Sequence, residues 1–411
     1  MTTVRRSDPA PRRAHLGARD LLLAVLDEDS FRSWDEPITP PAGASPDYLA
    51  ELAEARAASG VDEAVLTGSG TIDGRRVAVV VSEFRFLAGS VGVACAERIE
   101  AAVRRATKDG LPLLAAPASG GTRMQEGTAA FVEMIRITAA IGAHRGKGLP
   151  YLVYLRHPTM GGVFASWGSL GHITVAEPGA LLGFIGPKVY AALHGVEFPQ
   201  GIQRAENLAR KGIIDAVVAP GQLKELAARA LRVLAGTAGP ITSATTTDAP
   251  DTPAWDSIQR TRDPRRPGVR DVLRHAASDT LPLSGTSEGE HQPGLVTALA
   301  NLGGVPCVVV GQDRHAQRLR GPLGPATLRE ARRCIRLAAE LGLPLVTFID
   351  TPGASLSAEA EEGGLSGEIA RCLAELLELP SPTVAVLLGE GGGGGALALL
   401  PADRVVAAAH A

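Results

Sequence analysis

The chain has 411 residues, 45% of them hydrophobic and 21% charged, and carries a formal net charge of −3. At roughly 100–200 residues per domain, that length supports two or three domains with sizeable cores. The near balance of 41 basic and 44 acidic residues argues against a nucleic-acid protein or a binder of anionic membranes, and the apolar fraction is too high for disorder.

The N-terminal stretch MTTVRRSDPAPRRAHLGARD is basic but has no apolar segment of the kind a secretory signal needs, and no run reaches the roughly 20 apolar residues that span a bilayer. Cys95, Cys307, Cys334 and Cys372 lie far apart with no CxxC, and nine histidines show no metal-ligand spacing. The expectation is therefore a soluble, cytoplasmic protein without a disulfide framework or a metal site, with Cys95, Cys334 and Cys372 in its core.

Residues 1–16 are expected to be disordered. A short helix follows within ARDLLLAVLDEDSFRSWDE, then a Pro-rich passage at Pro37–Pro46 and a second helix near Asp47–Ser59. From Gly68 to Pro220 apolar, strand-like runs alternate with helical patterns, among them a helix on which Phe131, Met134, Ile135, Thr138 and Ile141 form one apolar stripe. Residues 236–253 are small and rich in Thr and Pro and read as a linker, followed by a basic stretch from Ile258 to Arg274. Alternation resumes from Val305.

An internal repeat organises this pattern. LPLLAAP at Leu111 and LPYLVYL at Leu149 have counterparts in LPLVTFID at Leu343 and SPTVAVLLG at Ser381. The spacing from Pro112 to Pro150 equals that from Pro344 to Pro382. The shift that lays Pro112 on Pro344 also carries Gly121 onto Gly353, Gly161 onto Gly393 and Gly162 onto Gly394. The short strands are apolar on both faces, as buried parallel strands are, and a helix between consecutive strands makes a right-handed crossover. The fold class is α/β, duplicated.

In each half a glycine pair lies between a buried strand and a helix start: ASGGTRMQEG (118–127) and PTMGGVFASWG (158–168), then DTPGAS (350–355) and GEGGGGGALA (389–398). Glycine permits positive φ and close approach of a ligand to the backbone, and the first turn of the following helix has unpaired N–H groups. Two such loops from neighbouring strands can direct two donors at one oxygen, the geometry that stabilises an enolate or a tetrahedral oxyanion. Three other motifs lack their context. Gly389–Gly394 fits GxGxxG, but no acidic residue follows at the required distance. Gly285–Gly289 fits GxSxG with no helix after it. Asp350–Gly353 resembles a GTPase switch, yet no phosphate-binding loop accompanies it.

With these loops in place, a family resemblance is readable. Residues 61–220 resemble the β subunit of bacterial acetyl-CoA carboxylase carboxyltransferase through FRFLAGSVG (84–92), SGGTRMQEG (119–127), PTMGGVFASWGSLGHITVAEP (158–178), FIGPKV (184–189) and PQGIQRAENLARKGIIDAVV (199–218). Residues 255–411 resemble its α subunit through WDSIQRTRDPRRP (255–267), FIDTPGA (348–354), EGGLSGEIAR (362–371) and GEGGGGGALAL (389–399). The resemblance implies two tandem crotonase-like units of βαβ repeats. Its domain plan is an N-terminal extension with helices (1–60), a β-subunit-like domain on the acyl-CoA side (61–235), a linker (236–254) and an α-subunit-like domain on the biotin side (255–411).

It further implies transfer of a carboxyl group from carboxybiotin, held on a biotin carboxyl carrier protein that works with biotin carboxylase, to a short acyl-CoA such as acetyl-CoA, giving malonyl-CoA. Backbone N–H groups at Gly120, Gly121, Gly161 and Gly162 would hold the thioester oxygen, and those at Gly353, Ala354, Gly393 and Gly394 the biotin ureido oxygen. Arg123, Lys188 and Arg204 are candidate substrate-binding residues; for Arg123, and for Glu126 beside it, capping and salt bridging are the competing roles. The family pairs unlike units across chains, so at least a dimer is expected.

Two departures from the family pattern stand out. The N-terminal Cys₄ zinc ribbon is missing, so no zinc is expected. Ala411 aligns with Gly179 of the first copy, so the second unit is expected to be truncated at its C-terminus. Alternative readings are a malonyl-thioester decarboxylase using the same enolate site, or a non-catalytic assembly subunit.

Overall fold

The computed structural model describes residues 16–39, 43–234 and 252–411. The expectations for the N-terminal residues and for the linker fall almost entirely outside these. The first half contains strands β1 (Arg32–Ser33), β2 (Val65–Ile72), β3 (Arg75–Ser82), β4 (Leu113–Ala116), β5 (Tyr151–Leu155), β6 (Thr159–Met160), β7 (Ile173–Ala176), β8 (Leu182–Gly183) and β9 (Ala216–Val217). Its helices are α1 (Ala18–Val25), α2 (Pro46–Ser59), α3 (Val93–Lys108), α4 (Gly127–Arg145), α5 (Gly161–Phe164), α6 (Pro187–His194), α7 (Ala205–Arg210) and α8 (Leu223–Leu234). The second half has strands β10 (Ala277–Leu283), β11 (Leu295–Leu302), β12 (Val305–Gln312), β13 (Leu345–Thr351), β14 (Thr383–Gly391) and β15 (Arg404–Ala407). Its helices are α9 (Ala254–Arg262), α10 (Val269–Ala276), α11 (Arg314–Arg320), α12 (Pro325–Leu341), α13 (Ala358–Glu362), α14 (Leu365–Leu377) and α15 (Gly393–Leu397).

Local chemistry places the helix ends. Ser45 accepts the Tyr48 N–H at 3.2 Å, Pro46 occupies the first turn of α2, and Gly60 closes it in the left-handed region. Pro325 opens α12 and Gly342 ends it at φ 63°.

Seven strands form the first sheet in the order β1-β2-β3-β4-β5-β7-β9, and six form the second in the order β10 to β15. Each sheet contains an antiparallel hairpin (β2–β3 and β11–β12) and continues from it in parallel. The parallel strands carry Leu113, Tyr151, Val153, Ile173, Leu345 and Ala385 fully buried, which explains their unbroken apolar runs.

The segment read as an N-terminal extension with helices contributes to the fold of the first half: β1 pairs with β2, and Leu21, Leu22 and Leu52 join the main core. On α4 the buried face is Ala130, Met134, Ile137 and Ile141, whereas Phe131 and Ile135 are exposed. Met134 and Ile141 of the expected stripe are thus buried, and the buried face turns from Phe131 and Ile135 toward Ala130 and Ile137.

Both halves share one hydrophobic core, which extends from Leu223, Ala227 and Leu231 of α8 to Leu281, Leu283 and Leu295. Asp215 accepts an ion pair from Arg333 at 2.8 Å. Main chains also touch, since a methyl group on Gly212 would sit 2.8 Å from the Gly285 Cα, and the Ser287 N–H donates to Gly212 O at 2.8 Å. The GxSxG stretch is thus an inter-half loop. Gly285→Ala should cost about 1–3 kcal/mol, because the site combines φ +70° with backbone contact. A thermal-denaturation midpoint equal to wild type would contradict this.

Glu340 also joins the halves, accepting from Arg145 at 2.6 Å and from His172 Nε2 at 3.1 Å, while His172 Nδ1 accepts the Tyr151 N–H at 3.0 Å. The hydrogen bond from His172 and the Arg145 guanidinium hold the Glu340 carboxyl down at about 2, and burial holds the His172 imidazole below its ordinary 6.5. Both folded values lie below the unfolded ones, so the unfolded chain takes up protons first as pH falls. Stability from this contact is present in full above pH 6.5 and declines below it, with the glutamate part lost between pH 4.5 and about 2. Thermal midpoints measured across this range should fall toward acid, and Glu340→Gln should shrink the drop between pH 4.5 and about 2.

Candidate functional site

The chemistry-bearing loops leave the C-terminal ends of β4, β5, β13 and β14. In the first half, Ser119 N–H donates to Pro158 O at 2.7 Å and Met160 N–H to Ser119 O at 2.9 Å, so the loops are stitched together. Gly121 at φ +121° and Gly161 at φ +60° are neighbours across the two loops, a methyl on Gly161 lying in van der Waals contact with Gly121 Cα at 3.5 Å. Both take backbone conformations that favour glycine.

Most N–H groups here are engaged. Gly120 donates to Ala88 O at 2.9 Å, and Gly121 to Ser119 Oγ at 3.0 Å. Val91 N–H donates to Gly121 O at 3.0 Å, and Arg123 N–H to Val91 O at 2.9 Å. The Gly161 N–H is turned toward β8 by the parallel register that sets Met160 opposite Gly183. Among the described residues, the N–H groups of Thr122 and Gly162 have no acceptor. Gly120 and Gly121 are therefore corrected from donors to shapers of the loops. The free N–H beside that of Gly162 belongs to Thr122, which the glycine pattern alone did not single out.

The second half repeats this arrangement at the positions the internal repeat marks. Gly353 at φ +145° donates to Thr351 Oγ1 at 3.1 Å, as Gly121 does to Ser119. Gly392 N–H donates to Thr351 O at 2.9 Å, as Met160 does to Ser119. The bridge between Val91 and Thr122 recurs between Leu323 and Ala354. Gly393 has φ +51° and starts α15 as Gly161 starts α5. A methyl on Gly395 would sit 2.9 Å from the Ala354 nitrogen. Among the described residues, Ala354, Gly393 and Gly394 have N–H groups without acceptors, whereas Gly353 is occupied. Comparing the halves was the signal that could have found Thr122, because it is the counterpart of Ala354.

Side-chain chemistry is sparse. All four cysteines are buried, and burial pushes the Cys307 thiol up to about 11 and those of Cys334 and Cys372 to about 12, leaving no thiolate nucleophile at neutral pH. The described residues contain no cluster of three or more His, Cys, Asp or Glu side chains fit to hold a metal ion. Nor is any described helix long and apolar enough to cross a membrane.

Residues 23–411 match the family model for the carboxyl transferase domain. The chain belongs to the carboxyl transferase domain family. It is 61% identical over 389 residues to a probable biotin-dependent acyl-coenzyme A carboxylase β3 subunit of Mycobacterium tuberculosis, covering 94% of this chain and 78% of that protein. It is 41% identical to the acetyl-coenzyme A carboxylase carboxyl transferase subunits beta/alpha of Salinispora arenicola, with 89% and 68% covered. Its fold matches transcarboxylase 12S with a TM-score of 0.76 at 23% identity, over 95% of this chain and 75% of the other.

Within this carboxyl transferase domain, Arg123 is 1% exposed and pairs with Glu63 and Glu126, donates to Ser90 O at 2.8 Å, and stacks over Phe86. Glu126 in turn accepts the Val93 N–H at 2.5 Å at the start of α3 and a hydrogen bond from Tyr48. Arg123 is thus corrected from a substrate ligand to a buried brace behind Thr122. Its guanidinium is desolvated and fully occupied, so it has no face to offer a phosphate. Lys188 and Arg204 are both exposed; Arg204 lines a groove of about 420 Å³ beside β8 while donating to Gly179 O at 2.9 Å.

Arg123→Met would strand Glu63, itself 1% exposed, and should cost about 3–5 kcal/mol of stability. A stable Arg123→Met variant whose only defect is a raised KM for acyl-CoA would restore the ligand role.

Proposed function

We propose that the chain is a biotin-dependent carboxyltransferase that moves a carboxyl group from carboxybiotin on a carrier protein to an acyl-CoA. One observation carries this reading: two loop pairs on equivalent strands of the two halves, each with a matched pair of main-chain N–H groups that find no acceptor among the described residues, Thr122 with Gly162 and Ala354 with Gly394. The similarity to a biotin-dependent acyl-coenzyme A carboxylase subunit and to acetyl-coenzyme A carboxylase carboxyl transferase subunits supports it.

Residues 61–235 form the acyl-CoA side. Thr122 and Gly162 N–H groups serve one oxygen from two stitched loops and stabilise the thioester oxygen as it gains charge on loss of the α-proton. Residues 255–411 form the biotin side, where Ala354, Gly393 and Gly394 N–H groups suit a ureido oxygen, a strong acceptor with no charge of its own before the reaction. Carboxybiotin supplies the carboxyl carbon as CO₂ and, once decarboxylated, the base that takes the α-proton. The protein holds the two oxygens and brings the reactants together, a contribution that effective-molarity arguments make large without an acidic or basic side chain. Arg204 and Lys188 offer positive charge to CoA phosphates from the first half.

Each half carries an outward apolar residue just beyond its first loop donor: Met124 is 83% exposed and Leu356, its counterpart, 97%. Phe131, Ile135, Phe184 and Leu193 add exposed apolar surface in the first half. Such exposure favours an assembly in which the acyl-CoA side of one copy meets the biotin side of another, completing the cleft with a biotin carboxyl carrier protein and biotin carboxylase as partners. Acetyl-CoA, giving malonyl-CoA, is the first acyl substrate to test.

Labelled CO₂ on a carboxylated carrier should pass to one or more of a panel of acyl-CoAs, and only in the presence of biotin. Label released as free CO₂ without an acyl product would make the chain a decarboxylase instead, and no turnover at all would favour an assembly role. A side chain at Gly162 would meet Thr122 Cγ2 at 3.3 Å and Met134 Cγ at 3.4 Å. Gly162→Val should therefore lower transfer by at least about 10²-fold while the circular dichroism spectrum stays native. Full activity in that variant would remove the acyl-CoA site from this place.

A further inference from the structure

The halves share backbone loops but differ in what stands behind them. The residues that lead into the second-half loops are both acidic, Asp350 and Glu390, where the first half has Ala118 and Pro158. Asp350 is 1% exposed. Its N–H donates to Gln312 Oε1 at 2.9 Å and its carbonyl accepts from Gln317 Nε2 at 3.2 Å. Gln317 Oε1 accepts from Thr351 Oγ1 at 2.7 Å, the hydroxyl that holds the Gly353 N–H. The Asp350 carboxylate pairs with Arg266 and lies 3.7 Å from Arg314 Nη1. Burial pushes its carboxyl above the ordinary range, and the two guanidiniums oppose that. Glu390 pairs with Arg262 at 2.8 Å and with Arg314 Nη2 at 3.1 Å.

Arg266 pairs with Asp350 and donates to Leu388 O, whereas Arg314 forms ion pairs with the acidic residues before both loops. Its side chain is 11% exposed, donates to Thr261 O, and reaches Asp350 before one loop and Glu390 before the other. Its helix, α11, is capped by Asp313, which accepts the Ala316 N–H at 3.1 Å. A planar fork with donors in fixed directions can bridge two carboxylates, whereas a lysine ammonium is a single point charge.

We propose that Arg314 is a positioning residue for the biotin side: by bridging Asp350 and Glu390 it sets the separation of the Ala354 and Gly393–Gly394 donors, a spacing the first half sets without charge at the matching positions. This rests on the functional reading above and adds which side chain governs one of its two sites.

The test uses the full chain with its biotinylated carrier. Arg314→Met should lower kcat/KM for the carboxylated carrier by about 10²-fold, as a displacement of about 1 Å would, with the KM for acyl-CoA nearly unchanged. Arg314→Lys should recover little of the loss. Independently of turnover, hydrogen exchange at residues 353–354 and 393–395 should quicken in Arg314→Met, while exchange at 121–122 and 161–162 stays as in wild type. If Arg314→Met does not fold, Glu390→Gln, which cuts the bridge on one side only, should show the same split. Wild-type biotin-side kinetics in these variants, or equal losses on both substrates, would overturn the proposal. A wild-type chain that transfers no label would overturn the functional reading instead, and the exchange pattern would still decide whether Arg314 governs the second-half loops alone.

Discussion

A main-chain N–H that finds no acceptor inside a folded protein is costly when dry, and such groups persist where something else is meant to accept from them. The loops after β4, β5, β13 and β14 are built around this constraint. Neighbouring groups are satisfied with some thoroughness: Gly120 by Ala88, Gly121 by Ser119, Gly353 by Thr351, and Gly392 by the Thr351 carbonyl. Against that background Thr122 and Gly162, and their counterparts Ala354 and Gly394, remain open. The glycines matter because positive φ turns the chain so that the next residue's N–H is left out of the local bonding.

Holding those donors still is the task of the surrounding charges. In the first half the brace is the buried triad of Arg123, Glu63 and Glu126, tied to α2 by Tyr48 and to α3 by the Val93 N–H. In the second half it is the network of Arg262, Arg266 and Arg314 around Asp350 and Glu390. Neither network touches the open N–H groups. Each fixes the strand exits and helix starts from which the loops spring, so electrostatics that could be mistaken for catalytic machinery serves geometry. The scarcity of reactive side chains fits a reaction in which charge develops on substrate oxygens rather than on the protein.

The α/β class, the two helices near the N-terminus and the equivalence of the two halves were all legible, because buried parallel strands are apolar throughout and the glycines keep register between the copies. The hairpins from which each parallel run starts were not read, although Asp73-Gly74 and Gly303-Gly304 both have positive φ and are the usual tight-turn pairs. The stripe on α4 carried no sign of its direction, because an apolar stripe looks the same whether it faces a core or a partner; Phe131 and Ile135 lie on the outside. Arg123 read as a possible ligand because a basic residue beside a glycine loop has no signature of its own burial; that depends on Glu63, far earlier in the chain.

What the sequence determined by itself was the pattern that propagates locally: strand runs, glycine positions and their repetition, and through these the family. Tertiary structure decided which N–H groups stay free, which arginines are sealed behind the loops, and how Arg314 comes to span Asp350 and Glu390. These depend on pairings between residues distant along the chain, and a hydrogen bond is spent or available only once its acceptor has been brought to it or left out.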